Sequence, residues 1–496
     1  MDDSSQEAQS FPRPARVSTG TRNGAWSRHN LLSLDGGGIR GYWTLLVLGR
    51  LMEAIAREDA RQAGRLHPGR SDSFWPDEFP PNVAQREGRP VPYQQLSATQ
   101  KYLPCHYFDF MCGLLTCASL IAIMLGRLRM SVADCMKEYE DLSHQIFGHP
   151  RWCSQRNLGF VPWSKYDANS MKKVFKDVTR RRCERSAFNR NGFREPFFPT
   201  LQDTCNVFVA PDFPQPSSAT TNDVGIDPES LYILRSYNNL NRLSLGSRYL
   251  NYGPAEEMKL WQVARAATAA PMYFDEFKIC LGEGNSRERI YFSDGGFGDT
   301  NNPTEVGMME VEALYGRDCF SAIVSIGTAR ANDKGEGRGI LRRVRHIAAV
   351  ATDPRIVARS LETRRLENLW RFNDEIGLDI ELDDWKPNGW TTKHPGHKTL
   401  RKIQDGFYRW AAQLENIDNI ESCARHLVEI RRSRMADRSR WQRFSLAASQ
   451  YQCEDVDCHE TTYETLDLFN QHWNSFHREE PDADALRQPR YKKWEY

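Results

Sequence analysis

The sequence predicts an α/β protein of three layers, a mainly parallel sheet with helices on both faces. Three observations predict it. Short apolar runs of strand length recur between residues 30 and 328. Stretches with apolar residues at helical spacing separate several of them. Two strands run into helices through glycine turns, the seam expected at the carboxyl ends of parallel strands, where such sheets carry their chemistry.

Taken in order, residues 1–29 are Ser-, Arg- and Pro-containing without periodicity and read as a disordered lead-in. Leu31-Leu-Ser-Leu34 is the first strand, and Leu45, Leu48, Leu51, Met52 and Ile55 make Tyr42 to Arg57 a helix. Residues 61–100, rich in Pro, Arg and Asp, read as a long surface insertion or a partly disordered loop. Tyr102 to Gly113 reads as a strand entering a second turn, followed by a buried helix from Leu120 to Leu128 and an amphipathic one from Ser131 to Ile146. Further strands are expected at Cys205–Ala210, Leu231–Tyr237, Ile290–Ser293 and Phe320–Ile326, with a helix over Glu256–Ala269. Residues 329–450 are charged and amphipathic over Leu341–Arg371 and Gly396–Arg434, which predicts a helical extension packed on the core. The basic run from Arg431 to Arg443 reads as a solvated helix face.

Composition narrows the class. With 66 Lys and Arg against 65 Asp and Glu, no bulk charge draws the chain to nucleic acid. Twelve cysteines are scattered rather than spaced as a disulfide framework, and no secretory segment opens the chain. The longest apolar run, near Leu114 to Leu128, is shorter than the roughly 20 residues a bilayer span needs. An intracellular, cytoplasmic protein is expected, without a transmembrane segment and with any membrane contact peripheral.

The first glycine turn is Asp35-Gly-Gly-Gly-Ile-Arg-Gly41. It lacks the Lys-Ser/Thr of a P-loop. Consecutive glycines let backbone amides point outward together at a helix start, which suits an oxyanion. A second constellation is Tyr291-Phe-Ser-Asp-Gly-Gly-Phe-Gly-Asp-Thr-Asn-Asn-Pro303, where Asp294 ends a strand and glycines expose its carboxylate. Together with Ala264-Arg-Ala-Ala-Thr-Ala-Ala-Pro-Met-Tyr-Phe274 and Ser325-Ile-Gly-Thr328, these strings resemble the motifs of patatin-like phospholipases, in the family's order, over residues 30–328. One spacing departs: four residues separate Gly296 from Asn301, where the family usually has three.

That resemblance implies hydrolysis of an ester bond in a lipid or phospholipid by a Ser-Asp dyad, with no cofactor for catalysis. It implies an oxyanion hole from the amides of Gly36, Gly37 and Gly38, and Asp294 as the base. Asp35, Arg40, Gly41, Gly295 and Gly296 would support them. The serine is where the chain departs. The family has Gly-x-Ser-x-Gly after the second strand, whereas this chain reads Phe108-Asp-Phe-Met-Cys-Gly-Leu-Leu-Thr-Cys-Ala-Ser-Leu-Ile-Ala122. Aligned on Gly113, Leu115 takes the serine's place; aligned from Leu120, Thr116 does. Thr116, Cys117 or Ser119 could each offer a hydroxyl or thiol from another position. Two accounts stay open: a pseudoenzyme that kept the fold and lost the elbow, or a misplaced exon junction across Cys112 to Leu120.

The tail carries a separate signal. Cys453, Cys458, His472 and His477 form C-x4-C-x13-H-x4-H in residues 451–480, a spacing that suits tetrahedral Zn²⁺ in a ββα unit, ahead of a last tail at 481–496. Glu454, Asp455, Asp457, Glu460, Glu464 and Asp467 make that unit acidic, against nucleic-acid binding.

Overall fold

A computed structural model of the chain describes residues 24–64, 97–148, 164–183, 195–200, 204–210, 214–216, 232–240, 250–269, 274–281, 288–292, 302–329, 357, 361, 366, 368–381, 383–385, 396–445, 449–452, 462–463, 466–477 and 490–491. The strands are β1 (His29–Leu34), β2 (Phe110–Leu114), β3 (Asn206–Ala210), β4 (Pro214–Pro216), β5 (Leu234–Arg235), β6 (Phe277–Leu281), β7 (Glu288–Phe292), β8 (Phe320–Ile326), β9 (Leu369–Phe372), β10 (Ser449–Gln452), β11 (Thr462–Tyr463) and β12 (Arg490–Tyr491). The helices are α1 (Gly41–Gln62), α2 (Ala98–Lys101), α3 (Leu115–Ala122), α4 (Val132–Phe147), α5 (Ala168–Cys183), α6 (Leu260–Ala266), α7 (Thr304–Tyr315), α8 (His397–Ala411), α9 (Leu414–Met435), α10 (Arg438–Ser445) and α11 (Leu466–Phe476).

Six strands form the central sheet in the order β5-β3-β2-β1-β8-β9. Every neighbouring pair is parallel except β3 with the edge strand β5. Successive strand residues point to opposite faces, so each strand feeds two cores. Leu32, Leu34, Met111, Val207, Val324 and Ile326 join the cluster under α1 and α3. Leu31, Phe110, Cys112, Phe208 and Ile323 join a second cluster, with Val306, Met308 and Val311 of α7. Helices thus cover both faces, the reason these strands read as near-continuous apolar runs.

The expected three layers are present, with differences in detail. Leu369–Phe372, expected within a helical stretch, instead forms β9 and pairs with β8 from Ile323↔Leu369 to Ile326↔Phe372. The run Leu-Trp-Arg-Phe is too short and too charged to announce a strand, and only the open edge of β8 makes it one. The expected strand at Leu231–Tyr237 is reduced to two residues, and β7 lies not in the main sheet but in an antiparallel one, β4-β7-β6. After Ala122 the third helix passes into one π turn, Ile123–Arg127.

The helical extension packs into the same core as α1. Ile403, Phe407 and Trp410 of α8 and Cys423, Leu427 and Val428 of α9 all belong to the α1 cluster. The basic run is not wholly solvated, which corrects its sequence reading. Arg431 pairs with the buried Asp59 of α1, and Arg434, 1% exposed, forks onto Asp109 at 2.7 and 2.9 Å. Periodicity could not reveal this, because both acids lie more than 300 residues away in sequence. Among the described residues no helix is long and apolar enough to cross a membrane.

Candidate active site

The carboxyl ends of β2, β1 and β8 lie side by side: Leu34 pairs with Gly113 on one flank and with Ile326 on the other. The turns leaving these three strands therefore meet at one edge of the sheet. After β1 comes Asp35 to Gly37, a single 3-10 turn over Gly38–Arg40, and then α1. Gly38 has φ +56°, a conformation that side chains resist, which explains a glycine there. Its carbonyl accepts a hydrogen bond from Tyr139 Oη at 2.6 Å, and the Gly36 carbonyl faces Thr328 Oγ1 at 3.4 Å. Arg40, buried, donates to the carbonyl of Ile380 at 3.3 Å, anchoring the turn from the far side. Gly41 opens α1 against the Tyr139 hydroxyl. Among the described residues the amides of Gly36, Gly37 and Gly38 donate to no protein acceptor. Unmatched donors in a buried turn are costly unless a ligand or water takes them.

Beside this turn, β2 passes into α3 with no residue between them: Leu114 ends the strand and Leu115 begins the helix. Such a junction needs the helix to start almost on top of the strand. A Cβ on Gly113 would fall 2.3 Å from the backbone of Ala118 and 2.6 Å from the amide of Ser119. Ser119 is fully buried and its Oγ donates to the Gly113 carbonyl at 3.1 Å, stapling helix to strand. Cys117 is buried too, and burial pushes its thiol up to about 12, against the opposing pull of Tyr139 and Arg40. It is therefore a neutral thiol at physiological pH rather than a thiolate nucleophile. Of Leu115 and Thr116 the backbone alone is described, as the first two residues of α3.

Asp294, Gly295 and Gly296 lie outside the described residues, as do Cys453 and Cys458. Both ends of the segment that carries Asp294 are placed. Phe292, fully buried, closes β7 against Phe277 and Tyr232. Asn302 just precedes α7 and Thr304 is its first residue; the helix packs against β1 and β2, and the two residues join a polar chain the sequence did not announce. Arg371 of β9 forks onto Asp35 at 2.8 and 2.5 Å and donates to Ser325 Oγ at 2.8 Å. Thr304 Oγ1 lies 2.7 Å from Ser325 Oγ, 2.9 Å from Ser33 Oγ and 2.5 Å from Asn302 Oδ1. Since the amide oxygen can only accept, the threonine hydroxyl donates to it and accepts from the two serines. The chain thus runs from the root of the glycine turn to the residue that closes the Asp294 segment. Its members are buried to 2% exposure or less, apart from the arginine. Burial raises the Asp35 carboxyl above its ordinary range, and Arg371 opposes that shift. The available signal was polar residues in buried strands: Ser33 and Ser325 share one register, and Ser325 shares the next with Arg371.

Among the described residues no three His, Cys, Asp or Glu side chains converge as a metal site. His472 and His477 come together at the end of α11, with their Nε2 atoms 3.3 Å apart.

Fold and site together define an α/β architecture with a glycine turn of open amides next to a strand-to-helix elbow. The chain is similar to calcium-independent phospholipase A2-gamma of Rattus norvegicus, 26% identical over 294 residues, which are 58% of this chain and 33% of that protein. The Homo sapiens protein of the same name is 27% identical over 294 residues, covering 58% of this chain and 32% of its own length. The chain thus spans about a third of the length of the curated relatives it matches. VipD from Legionella pneumophila, a solved structure, covers 77% of this chain and 66% of its own at 10% identity and a TM-score of 0.26. No family model matches the chain.

Proposed function

We propose that the chain is a patatin-like lipid acyl hydrolase by descent, whose site receives the ester of a glycerolipid or phospholipid. The observation that carries this is the trio of open amides at Gly36–Gly38, level with the elbow at Leu114–Leu115. The likeness to phospholipase A2-gamma supports the substrate class. In that chemistry a hydroxyl at the elbow adds to the ester carbonyl and its proton passes to Asp294. The charge on the carbonyl oxygen rests on the three amides. The intermediate then collapses, breaking the ester bond and expelling the lipid alcohol, which takes the proton from Asp294. Water, giving a proton to Asp294, cleaves the acyl-enzyme to release the fatty acid and restore the hydroxyl.

A second reading, a lipid-binding scaffold without turnover, is favoured by the elbow itself. The strand-to-helix junction supports Leu115 as the residue in the nucleophile's position, and leucine has no attacking atom. Ser119 spends its hydroxyl on Gly113, and Cys117 is a neutral, buried thiol. One experiment separates the two. The purified chain is assayed on a fluorogenic acyl ester beside Asp294→Ala and Leu115→Ser variants. Turnover lost in Asp294→Ala supports the hydrolase as it stands. Turnover that appears only in Leu115→Ser supports the scaffold with an intact oxyanion hole. No turnover in any of the three, with no binding to phosphatidylcholine vesicles, would refute both.

A further inference from the structure

We propose that Tyr139 of α4 is a positioning residue for the oxyanion hole: it holds the Gly38–Ile39 peptide so that the Ile39 amide joins those of Gly36–Gly38 as a donor to the substrate's carbonyl oxygen. This rests on the acyl-hydrolase reading of the site. A tyrosine hydroxyl has one proton to give. Here it goes to the Gly38 carbonyl, at 2.6 Å. In a trans peptide the C=O and the following N–H point in opposite directions. Gripping the Gly38 carbonyl therefore turns the Ile39 N–H away from Tyr139. Among the described residues that amide donates to no protein acceptor.

The peptide that Tyr139 grips is the one most in need of holding. Gly38 sits at φ +56° and leads into the 3-10 turn, a sequence of conformations that gathers successive N–H groups into an anion-binding hollow. A glycine can leave that conformation readily, so its carbonyl needs a fixed partner. Gly38 is also the one residue from Leu31 to Leu45 that is not buried, so the turn opens to the outside at this peptide. Thr328 treats the peptide before it alike. Its Oγ1 faces the Gly36 carbonyl at 3.4 Å, and a Cβ on Gly37 would fall 2.5 Å from its Cγ2. The tyrosine makes the shorter and stronger of the two grips.

Tyr139 also reaches the second turn. Its ring is buried in the α1 cluster, and a Cβ on Gly41 would fall 2.5 Å from its hydroxyl. The same hydroxyl hydrogen-bonds the Cys117 thiol in the first turn of α3. With its own proton committed to Gly38, Tyr139 Oη accepts from that thiol. One side chain of α4 thus ties the oxyanion turn to the helix that follows the elbow. Donors held in advance at a set place relative to the reacting atom are what such a site supplies to catalysis.

The test adds Tyr139→Phe to the full chain, both unmodified and carrying Leu115→Ser, and measures turnover of the fluorogenic acyl ester. The phenyl ring keeps the packing and removes the grip. In whichever chain turns over, kcat should fall about tenfold to a hundredfold while KM stays within about twofold, a loss confined to the transition state. Tyr232→Phe, which removes another buried tyrosine's bond, to Glu256, should leave both constants unchanged. Calorimetric titration with sodium decanoate, whose carboxylate stands in for the oxyanion, gives a readout without turnover. Tyr139→Phe should weaken that binding about fivefold. An unchanged kcat in Tyr139→Phe, or an equal fall in Tyr232→Phe, would overturn the proposal and leave the hydrolase standing. Without turnover, weakened decanoate binding would support the positioning role while sinking the hydrolase, and unchanged binding would overturn the positioning role. Neither turnover nor decanoate binding would overturn both.

Discussion

Two turns stand side by side at the same level of one sheet, and they were built under different demands. The turn after β1 leaves three backbone amides open in a buried place and is braced on all sides, by Thr328, Tyr139, Arg40 and the Asp35–Arg371 pair. The turn after β2 has the backbone of an elbow, with Gly113 forced by the approach of α3, and of the side chains described just beyond it Cys117 is buried and Ser119 is bonded to the Gly113 carbonyl. The contrast teaches that scaffold and chemistry are separable. Steric fit keeps the glycine, and hydrogen bonding keeps the helix seated, whether or not an attacking atom is present.

The strongest way to break the comparison is to unbrace the first turn. Arg371→Met leaves the Asp35 carboxylate buried without its partner, which should cost about 3–5 kcal/mol of stability. Urea unfolding followed by tryptophan fluorescence measures it. Adding Asp35→Asn should recover part of the loss, and no recovery would mean the arginine acts through packing instead. Next in size is the second turn. Gly113→Ala drives a methyl into the α3 backbone and should cost about 3 kcal/mol by the same measurement, with a result under half that showing the elbow to be looser than its geometry. The smallest effect sharpens the assignment of the serine. Ser119→Ala removes one buried hydrogen bond and should cost about 1 kcal/mol, leaving any ester turnover unchanged. Turnover abolished by that change would make Ser119 the nucleophile rather than a staple.

Much of the molecule was legible in the linear chain. Asp35-Gly-Gly-Gly, the apolar runs of β1, β3 and β8 and the helical spacing after Tyr42 are local patterns, and local patterns obey local sterics. The strand at β9 was not legible, because Leu-Trp-Arg-Phe becomes a strand only against the free edge of β8. Nor was the burial of Arg431 and Arg434, which look like solvated charges until α9 lies over α1 and the sheet's lower edge.

By itself the sequence determined where backbone must bend tightly or pass closely: Gly38 at positive φ, Gly113 under α3, and the alternation that gives every strand two faces. Those follow from dihedral sterics and a period of two, properties of a few neighbouring residues. Only the tertiary structure decided the partners. Arg371 meets Asp35 across 336 positions, and Thr304 joins Ser33, Ser325 and Asn302 into one buried chain. A charge or hydroxyl has many equally suitable partners along a chain, and packing alone selects which of them it meets.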